Sequence, residues 1–293
     1  MKFRINGKKY SPEGVLLLLP ALLLYGAVIV FPVCSTFYTS FFEWNGIKQQ
    51  AYRFVGLENY RPFFHDYQPA TAFKNVFMLA GTGVFLTIPI AFFLATVINQ
   101  KFRGLRLFKT FYFMPVVINR IAISLMFTFI LYPKMGPVTV LLREFGIRGV
   151  NILGNYATAM PAVCLIYMWC DAGFQMIVFS SGLAAIPDEI YEAAQIDGVS
   201  SFQKLRYITI PMMKSTFKIV LVFVFTGAFK MFDLVMGLTS GGPGGATEVP
   251  NTLLYNNAFT YSRLGYADSI AVVVVLICLA FSFVVNLVFR QRD

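Results

Sequence analysis

Apolar positions fall into long runs rather than an alternating or one-faced pattern. Six runs of roughly 20 residues or more occupy about 14–42, 72–98, 111–133, 156–185, 216–239 and 266–289, with short polar stretches between them. Each run is long enough to cross about 30 Å of hydrocarbon at 1.5 Å per residue. Lipid offers no partner for free backbone N–H and C=O groups, so the pattern predicts an all-helical bundle. The first run is too long for a signal-peptide core and no small-residue cleavage site follows it, so it is expected to be a retained anchor. Outside the runs, 43–70 reads as a compact aromatic and polar segment, and 138–145 as a short interfacial helix. No low-complexity tract or clear internal repeat appears, which weakens an inverted-repeat architecture.

Composition agrees with that pattern. Of 293 residues, 57% are apolar and only 13% charged, against roughly 25% charged in a soluble domain. A water-soluble globule is excluded. The net charge of +10 could suggest nucleic acid, but the cations flank apolar runs instead of clustering on a soluble surface. Counted by side, 14 Lys and Arg lie with the N-terminal tail (Lys2, Arg4, Lys8, Lys9), the segment after run two (Lys101, Arg103, Arg106, Lys109), the segment after run four and the C-terminal tail (Arg290, Arg292), and 8 lie opposite, Lys48 among them. The positive-inside rule then places both termini in the cytoplasm of a multi-pass protein.

Little in the chain suggests catalysis. Its one histidine, His65, excludes a multi-histidine metal site, and Cys34, Cys164, Cys170 and Cys278 lie inside apolar runs without a CxxC pair, as packing hydrophobes do. No nucleophile, base and orienter appear together. The glycines from 241 to 245 lack the Lys-Ser/Thr of a phosphate loop and read as a tight extracytoplasmic turn; without a Walker motif the chain is not expected to hydrolyse ATP.

The most informative stretch is 186–214, IPDEIYEAAQIDGVSSFQKLRYITIPMMK. Pro187 suits a first helical position, Asp188 and Glu189 favour the positive end of the helix dipole, and Gly198 can adopt the left-handed conformation that ends a helix. Ser200 with Gln203 forms a capping-box pattern for a second short helix, expected to stop near Thr209 before Pro211 opens the fifth span. The result is a projecting helix, turn and helix. Ala193 and Ala194 permit close approach by a partner, Glu192 and Asp197 supply charge, and Ile190, Tyr191, Ile196, Phe202 and Leu205 supply apolar knobs for a partner groove. An amphipathic loop lying on lipid headgroups is the competing reading, but the first helix is acidic where interfacial helices are basic.

This segment resembles the EAA loop of ABC importer permeases: Glu192-Ala193-Ala194, Gly198 after three further residues, nine more, then Ile208-Thr209-Ile210-Pro211, with Ile210 where Leu is usual. FVGLENY at 54–60, FRGLRLFKTFYFMP at 102–115, LTSGGPGGATE at 238–248 and LGYADSIAV at 264–272 resemble the MalF-like half of sugar importers. The resemblance implies a type I importer, MetI-like six-helix bundle in a bacterial or archaeal plasma (inner) membrane. Residues 1–13 would form a cytoplasmic tail, 14–70 the first span and outer loop, and 71–290 the core permease domain, with its coupling loop at 187–214. It further implies a second related permease subunit, a cytoplasmic ATPase dimer holding Mg-ATP, an extracytoplasmic solute-binding protein and a sugar substrate, with no cofactor in this chain. Glu192, Ala193, Ala194, Asp197 and Gly198 would dock into the ATPase, and the outer glycine turn would touch the binding protein.

Arg120, Asp171, Lys230 and Asp233 fall within apolar runs, where an unpaired charge costs roughly 2.5–3.5 kcal/mol at a helix centre. Lys230 and Asp233, three apart, are expected to pair on one helix face that also carries Thr226, Gly227 and Gly237. Tyr167, Cys170, Asp171 and Phe174 form a second stripe with Trp169 and Gln175 close by, and Asn119, Arg120, Ser124 and Thr128 a third. Aromatic faces beside carboxylate and amide groups suit a sugar, and in the resembled permeases the helices flanking the EAA loop contact it. A purely structural role, with charges paired across helices, stays open at each position. Two rival functions also stand: an ion-coupled secondary transporter relaying through Asp171, Lys230 and Asp233, and a non-transporting scaffold that recruits a cytoplasmic partner.

Overall fold

A computed structural model describes residues 3–5, 8–10, 12–47, 52–100 and 103–290. Lys2, Lys48, Lys101, Phe102 and Arg292 lie outside the described residues. The chain is helical, with two short hairpins: β1 (Phe3–Ile5) with β2 (Lys8–Tyr10), and β3 (Phe42–Glu43) with β4 (Arg53–Phe54). Four helices are long and apolar enough to cross a membrane: α1 (Leu17–Thr39), α2 (Tyr67–Ile98), α6 (Tyr156–Ala184) and α12 (Leu264–Val288). Between them lie α3 (Leu105–Val117), α4 (Arg120–Ile130), α5 (Pro137–Glu144), α7 (Asp188–Ile196), α8 (Ser201–Met212), α9 (Lys214–Phe229), α10 (Asp233–Thr239) and α11 (Pro250–Tyr255). The short helix expected at 138–145 forms as α5.

Two of the six predicted spans are not straight. The run at 111–133 is divided between α3 and α4, which meet at 101°. Ile118 is extended and the Asn119 side chain accepts from the Ile121 amide at 2.8 Å, so a new helix starts there. The run at 216–239 also fails as one helix: α9, which meets α8 at 71° just before the run, ends at Phe229, and α10 begins after a break at 230–232. With each bent pair counted as one crossing, six spans result.

The chain forms two compact units. The first comprises residues 1–62 and 254–273. In it α1 leaves its apolar side chains exposed, and the chain then turns into the β3–β4 hairpin, where Phe42 faces Phe54 and Glu43 pairs with Arg53 at 3.0 Å. Asn59 donates to the carbonyls of Ser40 (2.8 Å) and Phe42 (3.0 Å), Ser269 donates to the Asn59 carbonyl (3.1 Å), and the Gly265 amide donates to Trp44 (3.1 Å). The 54–60 and 264–272 motifs thus hold each other. Gly265 is required there because a Cβ would strike the Phe42 carbonyl.

The second unit comprises 63–253 and 274–293. Helix α6 runs through its centre and supplies both cores: Val163, Tyr167 and Cys170 pack with Val76, Leu79, Phe225 and Phe229, while Met176, Phe179 and Leu183 pack with Ala91, Leu94, Met213 and Val220. A helix apolar on nearly every face is stable only when enclosed like this. Helix α3 crosses α6 at Gly173, where a Cβ would run into the Tyr112 carbonyl. Helix α2 widens to π geometry at Gly83–Thr87, just before Pro89, whose missing N–H and bulky ring disturb the preceding turn.

Candidate functional site

The 186–214 segment folds as a helix, a sharp turn and a helix. Pro187 caps α7 instead of opening it, and Asp197 closes it. Gly198 sits at φ +72°, with its amide donating to the Gln195 carbonyl (3.2 Å) and the Val199 amide to the Ala194 carbonyl (3.0 Å), which satisfies the last carbonyls of α7. Both bonds of the predicted capping box form: the Ser200 amide to Gln203 Oε1 at 2.9 Å, and the Gln203 amide to Ser200 Oγ at 3.3 Å. Helix α8 continues past Thr209 to Met212, and the bend falls at Met213, after Pro211 rather than before it.

The two alanines of the loop differ in burial. Glu192, Ala193, Ile196 and Asp197 are exposed, whereas Ala194 is only 5% exposed. Ala194 therefore serves the fit of α7 onto its own protein, and Ala193 alone offers the smooth outer surface expected of both. Phe202 is exposed as expected; Ile190, Tyr191 and Leu205 are half-buried. Tyr191 packs against the core that holds Leu183 and Met213, and its hydroxyl meets Thr209 Oγ1 at 3.1 Å. That bond crosses 18 residues and ties α7 to α8.

Within the bundle, Arg120 at the start of α4 pairs with Asp171 in the middle of α6. Their side chains are 27% and 17% exposed. Tyr167, one turn before Asp171, is buried beside it and donates to the Val224 carbonyl at 3.4 Å. One turn after Asp171, Gln175 is 3% exposed and its Oε1 has no hydrogen-bond partner; Arg120 Nη1 is buried and likewise unpartnered. Tyr167, Asp171 and Gln175, with Arg120, thus form one polar stripe in an apolar interior. Phe174 is partly exposed, with its ring 5.9 Å from Phe223.

Other expectations need correction. Lys230 and Asp233 do not share a helix face, because α9 stops before Lys230 and α10 starts at Asp233; both are exposed. Ion pairs join Arg120 to Asp171 and Arg53 to Glu43. Asn119 is a helix cap, Thr128 bonds back to the Ser124 carbonyl, and Ser124 fills the space left by Gly237. Trp169 packs edge-on against Phe127.

The glycine turn is tight, as expected: Gly241, Gly244 and Gly245 have positive φ, and Thr247 donates to the Gly242 carbonyl at 2.8 Å. Its anchor is a residue the sequence reading passed over. Asn75 in α2 donates to the carbonyls of Ala246 and Glu248, both at 2.9 Å. An amide inside an apolar run was the available signal.

Comparisons with known proteins fit this geometry. The family described as "Binding-protein-dependent transport system inner membrane component" matches residues 87–292, which includes the whole 186–214 loop. The probable ABC transporter permease protein YurN of Bacillus subtilis (strain 168) is 35% identical over 95% of each chain. The sulfoquinovosyl glycerol transport system permease protein SmoG of Agrobacterium fabrum is 29% identical over 96% of this chain and 91% of its own. Two crystal structures of bacterial alginate ABC transporters, one in complex with an alginate pentasaccharide-bound periplasmic protein, share the fold at TM-scores of 0.82 and 0.81, with 22% identity over 94% of this chain and 94% and 93% of theirs. The chain belongs to the binding-protein-dependent transport system inner membrane component family.

Proposed function

We propose that the chain is one half of a heterodimeric pore in an ATP-driven importer of carbohydrates, oligosaccharides in particular, working by alternating access. The observation that carries this reading is the projecting α7–turn–α8 unit with Glu192, Ala193 and Asp197 outward. A rigid acidic helix standing off a membrane bundle suits docking in a cleft of a separate ATPase subunit, where Mg-ATP binds and is hydrolysed. Closure of the ATPase pair would draw the two coupling loops together and turn the bundle outward, while a docked binding protein delivers substrate. Nucleotide and loaded binding protein must then both favour the outward-open state.

The carbohydrate class is supported by the names of SmoG and of the alginate transporters, and the binding protein by the alginate complex. We assign Tyr167, Asp171, Phe174, Gln175 and Arg120 to the substrate path, with Asn119, Lys230 and Asp233 at its margins. The unpartnered Gln175 Oε1 and Arg120 Nη1 offer an acceptor and a donor to sugar hydroxyls. Both termini are assigned to the cytoplasm, with 71–290 as the core permease domain.

Reconstitution in liposomes with the second permease, the ATPase and the binding protein tests the proposal. Sugar uptake should need ATP and the binding protein and should survive collapse of ion gradients. Uptake that stops with the gradient, or ATP hydrolysis that loaded binding protein never stimulates, would overturn it.

A further inference from the structure

The outer face of α3 carries chemistry that the transport reading does not use. A shallow, open groove of about 640 Å³, walled only by this helix and the two residues before it, runs from Arg103 past Leu107 and Phe111 to Met114. These three apolar residues are spaced i, i+4 and i+7, on one stripe, and are 77%, 64% and 48% exposed. Arg103 lines the start of the groove, and Arg106 and Lys109 follow within the first turns of α3, all three exposed. Among the described residues none of the three pairs with a carboxylate. The sequence supplies none nearby along the chain, since no acidic residue occurs between Asp66 and Glu144.

We infer that this face of α3 binds an anionic phospholipid, its headgroup phosphate between Arg103 and Arg106 and an acyl chain in the groove. From Leu105 to Met114 the helix rises roughly 14 Å, close to the ~15 Å half-thickness of a bilayer's hydrocarbon core. A positive-inside bias alone explains the cations but not the apolar groove beneath them. A helix of another subunit would cover the groove but leave the cations uncompensated, whereas an anionic lipid satisfies both halves. A free phosphate would satisfy the cations and leave the groove empty.

Native mass spectrometry of the full-length chain in its assembled complex tests this, using phosphatidylglycerol, phosphatidylcholine and soluble glycerol phosphate as probes. Phosphatidylglycerol should be retained and raise the melting temperature; the other two should do neither. Each lost cation should weaken retention about fivefold, so the exposed double variant R103Q/R106Q should lose more than tenfold and L107A/F111A should lose retention without a change in charge. Equal retention of phosphatidylcholine, retention of glycerol phosphate, or unchanged binding by R103Q/R106Q would overturn the site. So would a photo-cross-linker on Leu107→Cys that captures the second permease subunit instead of lipid.

Discussion

The hydroxyl of Tyr191 lies 3.1 Å from Thr209 Oγ1, and this contact joins α7 to α8. The ring of Tyr191 packs into the core while its oxygen reaches α8, so α7 is oriented by one polar contact as well as by apolar fit. Under the proposed coupling role, α7 must keep its angle to α9, the helix that follows α8. Tyr191→Phe keeps the packing and removes the bond, worth about 0.5–1.5 kcal/mol. Substrate-stimulated ATP hydrolysis in the reconstituted complex should fall roughly two- to tenfold, with membrane insertion unchanged. Thr209→Val should match it, and the double variant should be no worse than either single one.

Gly198 separates backbone strain from crowding. A Cβ there would meet nothing within 4 Å, so only its φ of +72° opposes a side chain. Gly198→Ala should lose about 1–2 kcal/mol, seen as a lower melting temperature, together with weakened ATPase coupling. Gly198→Asn should stay near wild type, because asparagine tolerates the left-handed region. Equal loss in both variants would show that the residue acts through a docked partner's space instead of through backbone conformation.

The Arg120–Asp171 pair allows a test of structural against transport roles. Removing one partner leaves a buried charge, so Arg120→Ala should cost about 3 kcal/mol, the low end of the range for buried pairs given its partial exposure. The apolar replacement R120M/D171L should recover most of that stability. If the pair lines the path, this stable double variant will import its sugar poorly; normal import would leave the pair a packing device only.

Asn59 should hold the β3–β4 hairpin of the first unit. Asn59→Ala strips donors from the Ser40 and Phe42 carbonyls and should cost about 1–3 kcal/mol. Hydrogen exchange should accelerate across the described part of 40–60. Asn59→Asp, which is close in shape but cannot donate when ionised, should behave no better.

Most of the α7–α8 loop is readable from the chain because its determinants are local. Gly198 ends α7, and Ser200 with Gln203 opens α8, each through bonds spanning five residues or fewer. The facing of the two alanines is not readable in the same way. Neighbours on a helix point about 100° apart, and which one turns inward depends on the core around Leu183 and Met213.

Intramembrane charges show the same division. Residue spacing favours Lys230 with Asp233, three apart, yet Arg120 pairs with Asp171, 51 residues away. Local spacing assumes an unbroken helix, and the break at 230–232 removes that condition. Partition into lipid is a sum over residues, so the sequence by itself determined that this chain lives in a bilayer, where its apolar runs begin and end, and that a capped polar helix–turn–helix follows the fourth of them. Angles, faces and partners arise from contacts between residues far apart in the chain. The 101° and 71° bends, the inward turn of Ala194 and the Arg120–Asp171 pair were therefore decided only by the tertiary structure.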